Sequence, residues 1–252
     1  MKVVEYGKSN SEVIILLHGG GLSWWNYKEV GELLKDRYHV LIPILDGHSG
    51  SDRDFTSIES NALEIVEYID SYYHGSVDCI GGLSLGGQIL VEILSLRKNI
   101  CRYAFIESTL VIPMNITNKL VKLSLDMSYG LIKYHWFSKL QFKSLRIQDQ
   151  LYDQYYKDTC AITKKNLTSF LKANSSYILK DSLKYNEAKV LICVGEKEQA
   201  LMIKSAYMLN HIFKNSQLVV MKNRYHGELS INDPKEYVNM ISRLLEDEYE
   251  YI

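Results

Sequence analysis

The sequence predicts an α/β protein in which a mostly parallel central sheet is flanked by helices and interrupted by an inserted helical segment. Continuous apolar runs such as Val13–Leu17 and Val190–Val194 are typical of strands buried on both faces of a parallel sheet. Segments with helical spacing, of which Ile58–Tyr73 is the clearest, alternate with these runs as they do in successive βαβ units. Over residues 110–186 the strand pattern stops and only helix-like segments occur. We therefore expect a single domain over the whole chain (1–252), with a helical cap inserted at that point.

Each predicted element rests on the local pattern of apolar and turn residues. Strands are predicted where β-branched and apolar residues run together, and helices where apolar residues recur every three or four positions. Ser23 is a candidate N-cap of the first helix, and Pro234 falls in the first turn of the last one, where proline is tolerated. Residues 248–252 are expected to be frayed. In chain order we predict the strands Val3–Tyr6, Val13–Leu17, His39–Leu45, one from Val77 to the serine motif described below, Tyr103–Ile106, Lys189–Val194 and Gln217–Met221. Outside the insertion we predict the helices from Ser23 to about Lys35, Ile58–Tyr73, one directly after the serine motif, Leu201–Phe213 and Pro234 to about Glu246.

Composition and charge are those of an ordinary globular protein and limit the partners that we expect. Hydrophobic residues make up 46% of the 252 positions and charged residues 23%, with a net charge of −1. Such a balance produces no overall field that would attract nucleic acid or anionic lipid. The sequence has no apolar run long enough for a membrane span, and its start lacks a signal-peptide pattern, so we expect a cytoplasmic protein. Four cysteines without metal-ligand spacing favour small buried side chains over disulfides: Cys79, Cys101, Cys160 and Cys193.

One glycine-flanked serine stands where a predicted strand turns into a predicted helix. The pattern Gly82-x-Ser84-x-Gly86 matches a nucleophile elbow, in which the serine hydroxyl is raised above the edge of the sheet. The residues two before and two after such a serine must be small, because the strand and the helix pass close together there. The free N–H groups at the start of the helix would face a carbonyl oxygen that acquires negative charge. A plain glycine-rich turn is the alternative, and motifs elsewhere in the sequence favour the elbow.

Motifs at the ends of four predicted strands together resemble those of the α/β-hydrolase superfamily. They are His18–Gly21 after the first core strand, the elbow around Ser84, Gly195–Glu198 after a late strand, and His226–Gly227 after the last one. The resemblance spans nearly the whole chain outside the predicted cap. It implies an α/β-hydrolase fold and a catalytic triad whose nucleophile, acid and histidine come from the last three motifs in that order.

The resemblance assigns Ser84 as the nucleophile and His226 as the general base, and the chemistry of both side chains agrees. A serine hydroxyl is a poor nucleophile at neutral pH unless a base takes its proton. A histidine with a pKa of about 6.5 can accept that proton and return it to a leaving group. By the same resemblance Glu198, three residues past the glycine that closes its strand, would orient the histidine. Glu107, directly after an earlier strand, is an alternative acid, since some relatives place the acid there.

The resemblance also implies an oxyanion hole built from the backbone N–H groups of Gly20 and Leu85. Leu85 directly follows the nucleophile, and Gly20 lies in the glycine run after the first core strand. Two further histidines have supporting roles in this interpretation. We expect His18 to brace the loop that carries Gly20, and His48 to brace the turn Asp46–Asp52.

Together these residues imply a serine hydrolase that cleaves a small to medium, mainly apolar carboxylic ester or related acyl bond through an acyl-serine intermediate. A C–C bond or thioester hydrolase or an acyltransferase with the same triad is one alternative, and a non-catalytic ligand-binding member of the fold is another. A serine at the elbow argues against the branches that use an aspartate there. No cofactor and no metal are expected, because the sequence has no dinucleotide fingerprint, phosphate loop or metal-ligand cluster. The expected partner is a small-molecule substrate and not a nucleic acid.

Aromatic residues of the predicted cap suggest where the substrate would be enclosed. A cap over Ser84 must supply one wall of a pocket, and aromatic side chains with polar tips suit a mostly apolar cleft. We expect residues within Tyr129–Phe137, in particular Tyr134 and Trp136, to form part of that wall.

Overall fold

The computed structural model describes residues 1–249 of the chain, and within them a central sheet of seven strands confirms the predicted fold class. The strand order is β1-β3-β2-β4-β5-β6-β7, and all neighbouring strands in this part of the chain are parallel except β1 and β3. The strands are β1 (Val3–Tyr6), β2 (Val13–Leu17), β3 (His39–Pro43), β4 (Val77–Leu83), β5 (Cys101–Glu107), β6 (Lys189–Gly195) and β7 (Ser216–Met221).

Ten α-helices in residues 1–249 cover the two faces of the sheet and fill the insertion. None of them is long and apolar enough to cross a membrane. The helices are α1 (Lys28–Leu34), α2 (Ile58–Tyr72), α3 (Leu85–Leu96), α4 (Asn115–Ser128), α5 (His135–Ser144), α6 (Tyr152–Ala161), α7 (Lys164–Ser176), α8 (Ala200–Ile212), α9 (Glu228–Asn232) and α10 (Pro234–Leu245).

The continuous apolar runs arise because each central strand feeds two cores at once. In β2, Ile15 and Leu17 pack into one apolar cluster, whereas Ile14 and Leu16 pack into the cluster on the opposite face. Successive side chains of a strand point to opposite faces, so a strand covered on both sides needs apolar residues at every position. Parallel pairing of β4 with β5 and of β5 with β6 places the carboxyl ends of these three strands side by side, where the candidate site residues lie.

Helices α4–α7 occupy the span between β5 and β6, where we predict the cap over residues 110–186. Buried polar contacts attach this insertion to the sheet domain: the indole N–H of Trp25 donates to Asp158 on α6 at 2.7 Å, and Asn166 on α7 accepts from the N–H of Phe55 at 3.1 Å. After α7, Lys180 forms an ion pair with the buried Glu92 of α3. The insertion is therefore held by several separate polar anchors as well as by apolar packing.

Several local predictions were wrong at the ends of elements. The predicted first helix starts instead as a 3₁₀ turn, Trp24–Tyr27, and Ser23 does not cap it, because the Ser23 hydroxyl donates to the carbonyl of Ser49 at 3.0 Å. The loop after β7 also contains the short helix α9, which the sequence analysis missed.

The predicted frayed end lies partly outside the described residues, because 250–252 are not described. Tyr249 is buried, and the N–H of Glu248 donates to the carbonyl of Arg243 on α10 at 2.9 Å. The fraying prediction is therefore wrong for residues 248 and 249.

Candidate active site

Ser84 lies at the sharp turn between β4 and α3, with a backbone geometry that few non-glycine residues adopt. Its φ of +53° and ψ of −110° fall outside the regions that L-residues favour, so the backbone is strained there. The flanking glycines are sterically required. A Cβ on Gly82 would lie 2.5 Å from the carbonyl oxygen of Gly86, and a Cβ on Gly86 would overlap the carbonyl oxygen of Leu17. The N–H of Ser84 donates to the carbonyl of Glu107 at 3.0 Å, which ties the turn to β5.

His226 and Glu198 come from separate loops and form a direct hydrogen bond. The Nδ1 atom of His226, in the loop between β7 and α9, lies 2.8 Å from Oε2 of Glu198, in the loop between β6 and α8. The Glu198 side chain is fully buried, whereas that of His226 is 43% exposed. The second carboxylate oxygen of Glu198 accepts from the hydroxyl of Ser108 and from the N–H of Gly195, both at 2.7 Å.

These contacts hold Glu198 in its ionised form. Burial, the largest single influence, raises the pKa of the Glu198 carboxyl, but the hydrogen bond and charge of His226 and the bonds from Gly195 and Ser108 outweigh burial. The net pKa therefore lies below its ordinary value. An ionised carboxylate on Nδ1 leaves the other ring nitrogen of His226 available to accept a proton.

A single cavity brings the three predicted site residues together. It has a volume of about 220 Å³ and is bordered by Ser84, Glu198 and His226. No hydrogen bond joins the Ser84 hydroxyl to His226 within residues 1–249, and such bonds often tighten only when a substrate is bound. The remaining residues around the cavity come from the insertion and from the start of α8: Leu110, Met114, Asn174, Gln199 and Met202.

Glu107, the alternative acid, is not among the residues that border this cavity and does not hydrogen-bond to His226. Its side chain is only 2% exposed, Oε1 accepts from the N–H of Ser230 at 3.2 Å, and Oε2 has no hydrogen-bond partner in the described part of the chain. Burial raises the pKa of the Glu107 carboxyl to about 7, although hydrogen bonding with Ser230 opposes the shift. The geometry therefore favours Glu198 over Glu107 as the partner of His226.

The two residues that carry the predicted oxyanion donors are neighbours in the structure. A Cβ on Gly20 would lie 3.3 Å from the Leu85 side chain, and Leu85 is the first residue of α3, whose N–H has no partner inside the helix. The N–H of Gly19 donates to Asn26 and that of Gly21 donates to His48, but among residues 1–249 the N–H of Gly20 has no acceptor. This loop thus presents one free donor between two occupied ones.

Two buried histidines support the loop that carries Gly20. His18 accepts from the N–H of Leu45 at 3.2 Å through Nε2, and its Nδ1 lies 3.0 Å from the carbonyl of Gly19. His48 accepts from the N–H of Gly21 at 3.1 Å through Nε2. Burial, with a smaller contribution from the neighbouring His48 ring, lowers the pKa of His18 to about 3, and burial lowers that of His48 to about 4. As predicted, His48 also braces its own turn, because its Nδ1 atom lies 3.0 Å from the carbonyl of Asp46. Sequence reasoning missed its bond to Gly21, because the two residues are far apart in the chain.

The neutral state of His48 leads to a testable pH dependence of stability. The folded protein holds this ring unprotonated, whereas in the unfolded chain the ring becomes protonated near pH 6.5. The free energy of unfolding therefore decreases as pH falls below that value. When the pH falls from about 6.5 to about 5, the unfolding free energy of the wild type should decrease by about 1.5 kcal/mol because of His48. A His48→Gln variant should not show this decrease. Urea unfolding at both pH values measures the difference, with the exposed His211→Gln as the matched control. Equal pH dependence in the wild type and His48→Gln would contradict the neutral buried state.

A second, more apolar cavity of about 140 Å³ lies between the Gly20 loop and the insertion. Phe170 of α7 stacks on the His48 ring, with 4.7 Å between the ring centroids, and approaches Gly20. Of residues 129–137, Ile132 borders this cavity, whereas Tyr134 and Trp136 are 58% and 63% exposed on the outer surface. The prediction that Tyr134 and Trp136 form the pocket wall was therefore wrong, because the helical register of the insertion turns them outward. The cavity is bordered by Gly20, Gly21, Leu22, Ile132, Gln141, Leu145, Tyr155, Thr159, Ile162, Leu167, Phe170 and Leu171.

Within residues 1–249, no group of three or more His, Cys, Asp or Glu side chains could hold a metal ion.

Comparison with known proteins identifies solved structures with a similar fold. No curated protein sequence matches the chain. Among solved structures, a thermophilic esterase from Thermogutta terrifontis is similar with a TM-score of 0.80 at 15% identity, covering 98% of this chain and 93% of the esterase. An alpha/beta hydrolase family protein from Desulfitobacterium hafniense is similar with a TM-score of 0.76 at 23% identity, covering 97% and 100%.

A third similar structure is a lipase-esterase related protein from Clostridium acetobutylicum, with a TM-score of 0.78 at 18% identity and coverage of 96% and 98%. At these identities the likeness is one of fold. The sequence profile of the Alpha/beta hydrolase family matches residues 14–239, from the second residue of β2 to the middle of α10. Both the profile and the observed sheet lead to the same conclusion: this chain belongs to the alpha/beta hydrolase family.

Proposed function

We propose that this protein is a serine hydrolase that cleaves a small to medium, mainly apolar carboxylic ester or related acyl bond. The observation that carries the proposal is the shared cavity, which is bordered both by Ser84 and by a histidine whose Nδ1 atom is hydrogen-bonded to a buried carboxylate. In this proposal Ser84 is the nucleophile, His226 the general base and Glu198 the residue that orients and stabilises the imidazolium.

The proposed reaction proceeds in two balanced steps. In the first, Ser84 Oγ bonds to the acyl carbon while its proton passes to His226, and the same proton then leaves with the alcohol when the C–O bond breaks. In the second, a water molecule gives a proton to His226 and attacks the acyl carbon. The acid product leaves as the proton returns to Ser84.

The backbone donors support the same chemistry. The N–H groups of Gly20 and Leu85 would stabilise the negative oxygen that forms in both steps, and the unpaired state of the Gly20 N–H suits that role. Losing one such donor typically costs about 3–4 kcal/mol of transition-state stabilisation. His48 would keep the Gly20 loop in place through its bond to Gly21.

The two cavities suggest how an ester would be divided between them. The smaller cavity beside Gly20 is lined by aliphatic and aromatic side chains of α7, which suits an apolar acyl chain. The cavity around Ser84 is more mixed, because Asn174 and Gln199 contribute amide groups next to two methionines. We therefore propose the acyl group for the apolar cavity and the leaving group for the mixed one.

Labelling with a fluorophosphonate probe tests the proposed function directly. The probe reacts with an activated serine, so a non-catalytic ligand-binding protein with the same cavity would stay unlabelled. Turnover of p-nitrophenyl esters of rising acyl length then measures the substrate preference. An unlabelled protein that also hydrolyses none of the esters would contradict the proposal.

The division of the ester predicts which insertion residues control acyl length. Leu171→Ala should enlarge the apolar cavity and raise kcat/KM for a long ester relative to a short one by roughly tenfold, since one methylene in an apolar pocket is worth about 1–3 kcal/mol. Trp136→Ala is the control, because this side chain lies on the outer surface. The ratio of kcat/KM values in folded proteins is the measurement. If this ratio changed in Trp136→Ala but not in Leu171→Ala, the acyl group would not lie in the apolar cavity.

A further inference from the structure

Helix α4 has an apolar face that the protein itself leaves exposed. Its inner side buries Val121 and Leu125, as expected for a helix packed on its neighbours. Its outer side carries four large apolar residues spaced by four, three and four positions, which at 100° per residue lie within about 60° of one another. We call these residues the α4 stripe, and their exposed fractions are Ile116 78%, Leu120 51%, Leu123 58% and Met127 78%.

Such a stripe differs from the scattered apolar residues of an ordinary surface. Single exposed leucines need no explanation, but a contiguous apolar row on one helix face marks an interaction site. Helix α5 adds another exposed apolar pair, Trp136 and Leu140, four residues apart. The outer surface of the insertion therefore exposes more large apolar side chains than its own folding requires.

The charge of the segment that carries the stripe indicates the kind of surface that it would meet. Residues 108–188 carry twelve lysines and arginines against six acidic residues, a net charge of +6, whereas the rest of the chain carries −7. The whole-chain charge of −1, which predicted no attraction to anionic lipid, conceals this separation. On α4, Lys119 and Lys122 are exposed and form no salt bridge among residues 1–249, while Asp126 is already paired with Lys164.

We propose that the α4 stripe docks the protein peripherally on anionic phospholipid bilayers. A helix with apolar side chains on its outer face and lysines on one flank matches the pattern of an interfacial amphipathic segment, with Lys119 next to the stripe and Lys122 farther round the helix. In the docked state the four apolar side chains enter the boundary between head groups and acyl chains, and the lysines contact lipid phosphates. The helix begins directly after Met114, which borders the cavity around Ser84, so the docked helix adjoins the proposed catalytic cavity.

The charges disfavour the other occupants. Two copies that met symmetrically through their stripes would bring Lys119 and Lys122 of each copy close to those of the other, and like charges at an interface oppose association. A nucleic acid offers phosphates to the lysines but no apolar surface for four aliphatic side chains. An anionic bilayer satisfies both requirements at once.

Vesicle sedimentation tests this docking with the full chain. We expect the wild type to bind vesicles of equimolar phosphatidylcholine and phosphatidylglycerol, to bind pure phosphatidylcholine far more weakly, and to lose binding as salt rises. Leu120→Ser with Leu123→Ser should lower the partition coefficient roughly tenfold or more. Leu33→Ser with Leu63→Ser, at 47% and 49% exposure on other helices, is the matched control.

A charge pair provides the second arm of the test. Lys119→Gln with Lys122→Gln should weaken binding to the anionic vesicles by roughly 30-fold, at about 1 kcal/mol for each lysine near the surface. The control Lys28→Gln with Lys214→Gln, two exposed lysines outside the insertion, should change the binding little.

Three results would overturn the proposal. The first is a wild type that does not bind the anionic vesicles, and the second is a set of stripe variants that bind as the wild type does. The third is a wild type that light scattering shows to be a dimer and that does not bind vesicles, with the dimer dissociated by the stripe substitutions. Hydrolysis of a short soluble ester is measured in the same variants and should be unchanged, because none of these residues lies in the proposed catalytic site. Failure of docking with normal ester turnover would therefore leave the proposed function intact.

Discussion

Ser84→Ala is expected to abolish ester hydrolysis and fluorophosphonate labelling while the protein stays folded. The hydroxyl at the turn between β4 and α3 is the only group that the proposed reaction acylates, and Ala cannot replace it. By comparison with other serine hydrolases, losing the nucleophile should lower kcat by at least about 10⁴-fold. Ser176→Ala is a suitable control, because the Ser176 hydroxyl donates to the carbonyls of Lys172 and Ala173 on its own helix.

The strained backbone at Ser84 adds a second readout to the same position. A glycine tolerates φ of +53° and ψ of −110° better than a residue with a Cβ, so Ser84→Gly should be more stable than Ser84→Ala by roughly 1–3 kcal/mol. Both variants should be inactive. Thermal unfolding and probe labelling of the two proteins check these outcomes together. Turnover in Ser84→Ala within tenfold of the wild type would remove the residue from its proposed role.

Glu198→Gln is expected to be far more damaging than Glu107→Gln. The Glu198 carboxylate accepts from Nδ1 of His226, and a neutral amide can no longer stabilise the imidazolium that forms in each step. Replacing the orienting carboxylate of such a triad lowers kcat by about 10⁴-fold. Glu107→Gln should change kcat little, since Glu107 accepts a hydrogen bond from the N–H of Ser230 and does not border the cavity. The measurement is kcat for a short ester in both variants.

Stability separates the two carboxylates in a second way. Because burial raises the pKa of Glu107 to about 7, its contribution to stability is present at low pH and is lost as pH rises through that value. When the pH rises from about 5 to about 8.5, the unfolding free energy of the wild type should therefore decrease by about 2.5 kcal/mol because of Glu107. The Glu107→Gln variant should not show this decrease. Denaturant unfolding at the two pH values gives this difference. A crippled Glu107→Gln together with an active Glu198→Gln would transfer the acid role to Glu107.

Much of the fold follows from patterns that are local in the chain. The run Val13–Leu17 must be covered on both faces because every residue is apolar, and the alternation of strands and helices makes the sheet parallel. Errors occurred where a side chain found a distant partner. Ser23 was expected to cap a helix, yet its hydroxyl bonds to the carbonyl of Ser49, which local propensity cannot foresee. The bond between His48 and Gly21 was missed for the same reason.

The sequence by itself determined the elbow and the chain order of the candidate residues, because close approach of strand and helix permits only glycine at positions 82 and 86. Only the tertiary structure decided which carboxylate contacts His226. Glu107 ends β5 and Glu198 follows β6, and both strands end at the same edge of the sheet, so the direction of each side chain depends on local geometry and on the contacts with Ser108 and Ser230. Tertiary structure also decided which face of the insertion is buried. An amphipathic helix shows its apolar positions in the sequence, but α4 has apolar residues on two faces, and only its packing determines which of them meets solvent.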